Sequence, residues 1–237
     1  MPESAPAAPR PRPSGPPRRR RLVVTDVDST FVTQEVIELI AEHAGTRHEV
    51  AAVTERAMRG ELDFAASLRE RVATFAGVPV SALDAVREAV VLMPGAAELT
   101  AEVQRRGWEI GLVSGGFAEI LAPLAASLGI TRWRANRLEV ADGVLTGRTV
   151  GPVVDRADKE ATLREWAAEL DLDMADTVAV GDGANDLDMI RAAGIGIAFA
   201  AKPLVREQAP YRLDGPRLDE VLRVIDEVDA AAPAARA

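Results

Sequence analysis

The sequence predicts an α/β fold: an open, mostly parallel sheet flanked by helices and interrupted after its first strand by an all-helical insertion. Three observations predict it. Short apolar runs recur as RLVVT from Arg21, EIGLVSGG at 109–116, TVAVGDG at 177–183 and IGIAFA at 195–200, and from Pro94 onward they alternate with helical stretches, the pattern of parallel strands joined by helical crossovers. From Gln34 to about Val91 the apolar spacing is helical, as in EVIELIAEHA and FAASLRERVATFA, with Gly60, Gly77 and Pro79 as punctuation and no strand pattern. A single hairpin is signalled by Asp142-Gly143 between the alternating halves of ANRLEVADGVLTGRTV.

Taken in order, residues 1–20 read as a disordered tail, 21–33 and 94–228 as the α/β core, 34–93 as a helical cap and 229–237 as a flexible end. The tail and the body differ in material. Residues 1–21 hold six arginines, one glutamate and seven of the 15 prolines, net +5, which leaves the other 216 residues at net −14 within a total of −9. A Pro/Arg/Ala mixture without apolar periodicity cannot offset its ordering entropy. The Arg18–Arg21 cluster could meet nucleic acid or an acidic surface, but a solvated arm is the expectation. Acids in LVVTDVD stand where the apolar part of a signal peptide would continue, and no run of 18 apolar residues spans a membrane. A cytoplasmic protein is expected.

With 237 residues, 48% hydrophobic and 27% charged, the chain can bury a sizeable core. It has no cysteine, which excludes disulfides, zinc-thiolate sites and thiol nucleophiles. His43 and His48 are its only histidines, too few for a histidine-rich dinuclear centre. Any catalysis therefore falls to carboxylates.

Open α/β sheets bind ligands beyond the carboxyl ends of their strands. Those ends carry Asp26 and Asp28, then Ser114-Gly115-Gly116, then Gly181-Asp182-Gly183-Ala184-Asn185-Asp186. Asp26 and Asp28, two positions apart, would lean the same way from a strand and repel, so a positive group is expected between them. Clustered carboxylates without Cys or His suit a hard cation such as Mg²⁺. Asp182, Asp186 and Asp188 lack the alternating order and distal glutamate of a calcium-binding EF-hand loop. Glycine amides and the Ser114 hydroxyl can approach a phosphoryl group closely. Of 28 basic residues only Lys159 and Lys202 are lysines. A lysine in an arginine-writing chain is a candidate for a site needing a compact point charge, or else a surface residue ahead of the helix ATLREWAAEL.

DVDST, the serine-glycine pair at Ser114, Lys159 and GDGANDLDMI, in that order, resemble the four motifs of the haloacid dehalogenase superfamily of phosphotransferases. Within it, DVDSTFVTQEVIELIA, MRGELDFAASLRERV, LVSGGF, ANRLEV with LTG, and VAVGDGANDLDMI resemble the phosphoserine phosphatases, from about residue 22 to residue 210. The resemblance implies a parallel core with a helical cap and hydrolysis of O-phosphoserine through an aspartyl-phosphate. It makes Asp26 the nucleophile and Asp28 the general acid and base, with Thr30 orienting Asp28. Mg²⁺ would be held by Asp26, the Asp28 carbonyl and Asp182, with Asp186 behind them; Ser114, Gly115, Lys159 and Asn185 would cradle the phosphoryl oxygens. In the cap, Glu35 would receive the substrate ammonium and Arg71 its carboxylate, while Met58 and Phe64 close the pocket. Taken alone, Arg71 reads rather as an exposed cap arginine and Glu35 as a first-turn glutamate favoured by the helix dipole; their joint placement in segments that resemble the family is what singles them out. Some bacterial relatives carry amino-acid-binding modules ahead of the core; control through one is not expected in this chain. The competing expectations are another small phosphomonoester, phosphoryl transfer to an alcohol such as homoserine, and a non-catalytic scaffold whose basic tail binds nucleic acid. No membrane partner is implied.

Overall fold

The structure, a computed structural model, describes residues 19–59 and 61–231. Its centre is a seven-stranded sheet in the order β4-β3-β2-β1-β5-β6-β7. The strands are β1 (Leu22–Thr25), β2 (Glu109–Phe117), β3 (Arg132–Ala141), β4 (Val144–Val150), β5 (Thr177–Gly181), β6 (Ile195–Phe199) and β7 (Tyr211–Leu213). All neighbours pair in parallel except β3 and β4, which form the antiparallel hairpin at one edge.

Alternation along β1 assigns the two faces. Val23 joins Ile110, Leu112, Val178 and Val180 under α5 (Ala96–Arg105), α6 (Ala118–Ser127) and α10 (Val221–Ala231). Leu22 and Val24 point the other way with Val113 and Ala179, against Leu163, Trp166 and Ala167 of α7 (Arg156–Glu169) and Met189 of α8 (Leu187–Ala192). A small α9 (Pro203–Gln208) lies between β6 and β7. With apolar cover on both faces, β1 is central and fully buried, which is why its sequence reads as a continuous apolar run.

Between β1 and α5 stand four helices, α1 (Val36–Ala44), α2 (Arg47–Met58), α3 (Phe64–Ala73) and α4 (Ala82–Ala89). Val36, Ile37, Ile40 and Ala41 recur on one face of α1 and bury against Leu68, Val72, Phe75, Leu83 and Val86. The same cluster takes in Phe117, Ile120, Leu138 and Leu145 from the core, so the insertion rests on α6 and the hairpin. Backbone bonds fix that contact: Gly77 N–H donates to Leu145 O and Leu145 N–H to Val78 O, both at 2.8 Å, and Val80 N–H donates to Gly143 O at 3.0 Å. The hairpin turn carries positive φ at Asp142 (50°) and Gly143 (77°), the two-residue turn that an Asp-Gly pair favours.

Two boundaries and one side chain differ from expectation. α10 runs to Ala231, so the helix continues into the end expected to be flexible from residue 229; its amphipathic face, Val221, Val224 and Ile225, is buried on the sheet. Arg19, placed by sequence in the tail, is docked on the core through Asp176 and Asp229. Arg21, expected in a solvated basic arm, is 1% exposed, pairs with Asp229 and lies 5.9 Å from the Trp108 ring centre. The rest of the arm, residues 1–18, lies outside the described residues. No helix among the described residues is long and apolar enough to cross a membrane.

Candidate active site

The carboxyl ends of β1, β2 and β5 meet beneath the insertion. β1 leaves the ladder after Thr25, although Asp26 N–H still donates to Val180 O at 2.9 Å. The amides of Thr30, Phe31 and Val32 then all converge on Val27 O, with Ser29 at φ 57°. This tight turn sends Val27 into the core and returns Asp28 to the site.

Asp26, Asp182 and Asp186 are all buried, and one carboxylate oxygen from each lies within 4.8 Å of the others. Lys159, fully buried near the start of α7, reaches across 133 residues to pair with Asp26 and donates to Asp186 Oδ1 at 2.7 Å. Its helix is fixed by Asp155, whose carboxylate caps the amides of Ala157 and Asp158. The positive group expected between Asp26 and Asp28 stands instead between Asp26 and Asp186: it is this lysine, which makes no hydrogen bond to Asp28. Asp28 stands apart in its own frame. Its Oδ2 accepts from Ser114 Oγ at 2.9 Å and its Oδ1 from Val36 N–H at 2.7 Å. Ser114 Oγ in turn accepts from Gly116 N–H at 2.7 Å.

Electrostatics separates the acids. Burial first, then Asp186, pushes Asp26 well above the ordinary carboxylate range, and Lys159 opposes this. Burial likewise lifts Asp182 to about 6, with Asp186 adding to it. Burial lowers Lys159, but Asp186 and Asp26 outweigh it and hold the ammonium above its usual value. Burial and the facing Glu35 carry Asp28 to about 6, against the hydrogen bonds from Val36 and Ser114. Three buried carboxylates thus share one buried ammonium, and all their free donors are hard oxygens. That charge deficit and donor set fit a divalent cation such as Mg²⁺.

The remaining expected residues fall around this centre. Asp186 Oδ2 accepts from Gly183 N–H at 2.9 Å and its carboxyl group rests where a Cβ on Gly181 would lie, 2.5 Å away, so only glycine fits there. Asn185 is half-buried in the same loop. Phe64 closes over the second strand end, its ring 2.8 Å from where a Gly115 Cβ would stand. Glu35 accepts from Ser29 Oγ at 2.8 Å. Arg71 is half-buried; burial pulls it below its ordinary value, with Glu35, Asp28 and Glu38 opposing, and it remains charged. Met58 ends α2, and its side chain lies outside the described residues. Thr30 corrects an expectation: its hydroxyl is aimed at Asp182 Oδ1, 3.4 Å away, rather than at Asp28, because the turn at Val27 carries it to the β5 side.

Two contributors were not read from sequence. The Val36 amide carries no sequence signature. Asn136, 2% exposed on β3, donates to Gly115 O and accepts from Val154 N–H, both at 2.8 Å; an asparagine inside a strand run was its available signal. Lys202 stands out by composition, and its ammonium lies 3.7 Å from Asp182 Oδ2.

Comparison with known proteins agrees with this geometry. The family model for haloacid dehalogenase-like hydrolases matches residues 23–191. Phosphoserine phosphatase of Streptococcus thermophilus is 54% identical over 207 residues, covering 87% of this chain and 96% of that protein. Phosphoserine phosphatase SerB2 of Mycobacterium tuberculosis is 53% identical over 218 residues, covering 90% of this chain but only 53% of that longer protein. Among solved structures, a phospho-aspartyl intermediate analogue of phosphoserine phosphatase superposes with a TM-score of 0.82 at 38% identity, over 87% of this chain and 99% of that one. A substrate-bound phosphoserine phosphatase complex gives the same TM-score and identity over 86% and 98%. The chain therefore belongs to the haloacid dehalogenase-like hydrolases and, within them, to the phosphoserine phosphatase family.

Proposed function

We propose that the protein is a Mg²⁺-dependent phosphoserine phosphatase of the cytoplasm, releasing serine and phosphate as the last step of serine synthesis. The observation that carries this is the division of the carboxylates: Asp26 held by Lys159 in the cation-binding cluster, Asp28 held apart from it by Ser114 and the Val36 amide. Environments that separate two acids assign them different tasks. Asp26 attacks phosphorus, forming an oxygen–phosphorus bond as the bond to the serine oxygen breaks, and Asp28 delivers a proton to that departing oxygen. Asp28, now ionised, removes a proton from water, which attacks the aspartyl-phosphate, restores Asp26 and releases phosphate. Ser114, the Gly115 amide, Lys159 and Asn185 hold the phosphoryl oxygens. Asp26, the Asp28 carbonyl and Asp182 would hold Mg²⁺, with Asp186 fixing Lys159 behind them. When bound, the ion neutralises charge on the phosphoryl group and on Asp26. The cap, residues 34–93, excludes water, and beneath it Glu35 receives the substrate ammonium while Arg71 takes its carboxylate; Phe64 closes the pocket.

A phosphate-release screen over small phosphomonoesters tests the assignment. Phosphoserine is the best substrate, and EDTA lowers its turnover by at least roughly 10²-fold, restored by Mg²⁺ and poorly by Ca²⁺. Undiminished turnover after exhaustive EDTA treatment contradicts the metal assignment.

Substrate reading rests on the cap. A charged hydrogen bond contributes about 1.5–3 kcal/mol, so Arg71→Ala lowers kcat/KM for phosphoserine by roughly 10- to 100-fold. p-Nitrophenyl phosphate offers neither carboxylate nor ammonium, and its hydrolysis survives both Arg71→Ala and Glu35→Gln. If the ratio of kcat/KM for the two substrates is unchanged in both variants, the cap does not read an amino acid.

Asp182 provides a test by stability. Its folded-state value is raised from 3.8 to about 6, so the wild-type metal-free protein loses stability as pH rises from about 4 through 6. Asn cannot titrate there. Asp182→Asn without metal therefore melts with the wild type at pH 4 and above it at pH 7, by about 5 °C or more. Adding Mg²⁺ reverses the order, because the variant lacks a ligand. A melting gap independent of pH would mean that ionisation of the buried Asp182 carboxyl is not its cause.

A further inference from the structure

The two strands linking insertion to core form a short ribbon. Thr33 N–H donates to Val91 O and Met93 N–H to Phe31 O, both at 2.9 Å, with a bridge between Val32 and Leu92. At its cap end the ribbon is extended by a side chain. The half-buried Gln34 amide donates through Nε2 to Ala89 O and accepts through Oε1 from Val91 N–H, each at 3.0 Å, so it imitates one more ladder residue. Gln34 O also accepts from Ser29 N–H at 3.2 Å, tying the turn that follows Asp28 to the same point.

The two residues after Gln34 both act at the site. Glu35 accepts from Ser29 Oγ, and Val36 donates its backbone N–H to Asp28 Oδ1 at 2.7 Å. That amide opens α1 and belongs to the insertion, whereas Asp28 belongs to the core. The aim of Asp28 therefore depends on where the insertion's entry strand sits against its exit strand. From this juxtaposition we propose that Gln34 is a positioning residue for the reaction: by clasping the exit strand at Ala89 and Val91 it sets the register that holds the Val36 amide on Asp28, and so keeps the proton-donating carboxyl directed at the leaving oxygen.

The proposal rests on Asp28 being the general acid, and the test separates the two. Phenyl phosphate and p-nitrophenyl phosphate both lack amino-acid groups and differ in how much their leaving oxygens need a proton, so their ratio of kcat/KM reports acid assistance alone. Gln34→Met keeps the length and removes both hydrogen bonds. Misplacement of a catalytic group by a fraction of an ångström to 1 Å costs up to about 10²-fold; the expected result is a roughly 10-fold fall for phenyl phosphate with p-nitrophenyl phosphate within about twofold of wild type. Thr33→Val, which removes only a long, exposed hydroxyl contact to Val91 O at 3.4 Å and leaves the Thr33 backbone bond and the Gln34 clasp in place, leaves the ratio unchanged. In an Asp28→Asn background Gln34→Met adds nothing further, because the group it positions is gone. An equal fall for both substrates, no fall for either, or an undiminished Gln34→Met effect on the ratio in the Asp28→Asn background overturns the proposal. If Asp28→Asn itself leaves the ratio at its wild-type value, the general-acid assignment fails instead.

Discussion

In Asp26→Asn, turnover of phosphoserine falls by roughly 10⁴-fold or more and no phosphoenzyme forms. The amide keeps the shape of the side chain but is no nucleophile toward phosphorus, and neighbouring groups cannot substitute, since Asp182 and Asp186 lie in the cation cluster and Asp186 is held by Lys159 and Gly183. Loss of activity is not loss of fold. Removing one of three crowded buried carboxylates leaves Lys159 paired with Asp186, so the metal-free variant melts no lower than wild type. Steady-state phosphate release and thermal melting together check this; activity within tenfold of wild type would reassign the nucleophile.

Asp28→Asn has the second largest effect and a different signature. Phosphoserine turnover falls by roughly 10²- to 10⁴-fold, the usual range for one acid–base group. With p-nitrophenyl phosphate the good leaving group departs unaided, but the aspartyl-phosphate then lacks a base to activate water. Rapid mixing consequently shows a burst of nitrophenol equal to the enzyme concentration, followed by slow turnover. A linear time course without a burst, at a depressed rate, would mean that Asp28 is needed to form the phosphoenzyme even from this substrate and would contradict the division of labour.

Much of this site was legible in the sequence because it sits where strands end. β1, β2, β5 and β6 are apolar runs, and reading each at its carboxyl end named Asp26, Asp28, Ser114, Asp182 and Asp186 before any contact was known. Lys159 stood out as one of two lysines in a chain with 28 basic residues, although its 133-residue reach to Asp26 is a tertiary fact. What escaped is backbone and long range. The three-residue β7 is too short to show a period. A main-chain amide such as Val36's is the same in every sequence, so the frame around Asp28 was invisible. Arg21 looked like one more residue of a basic arm, yet the neighbouring Trp108 and Asp229 turn it into a buried side chain. Thr30 was placed beside Asp28 by adjacency, whereas the turn at Val27 aims it at Asp182.

The central claim is a covalent phosphoryl bond to one named carboxylate. The direct measurement is to quench the enzyme with acid during turnover of phosphoserine, reduce it with borohydride, which converts an aspartyl-phosphate to homoserine, and locate the change by peptide mass spectrometry. Homoserine at position 26 and at no other aspartate, absent when EDTA is present during turnover, is the predicted result. Modification at Asp28 or Asp182, a stable phosphate on Ser114, or turnover with no trapped species at any residue would contradict it.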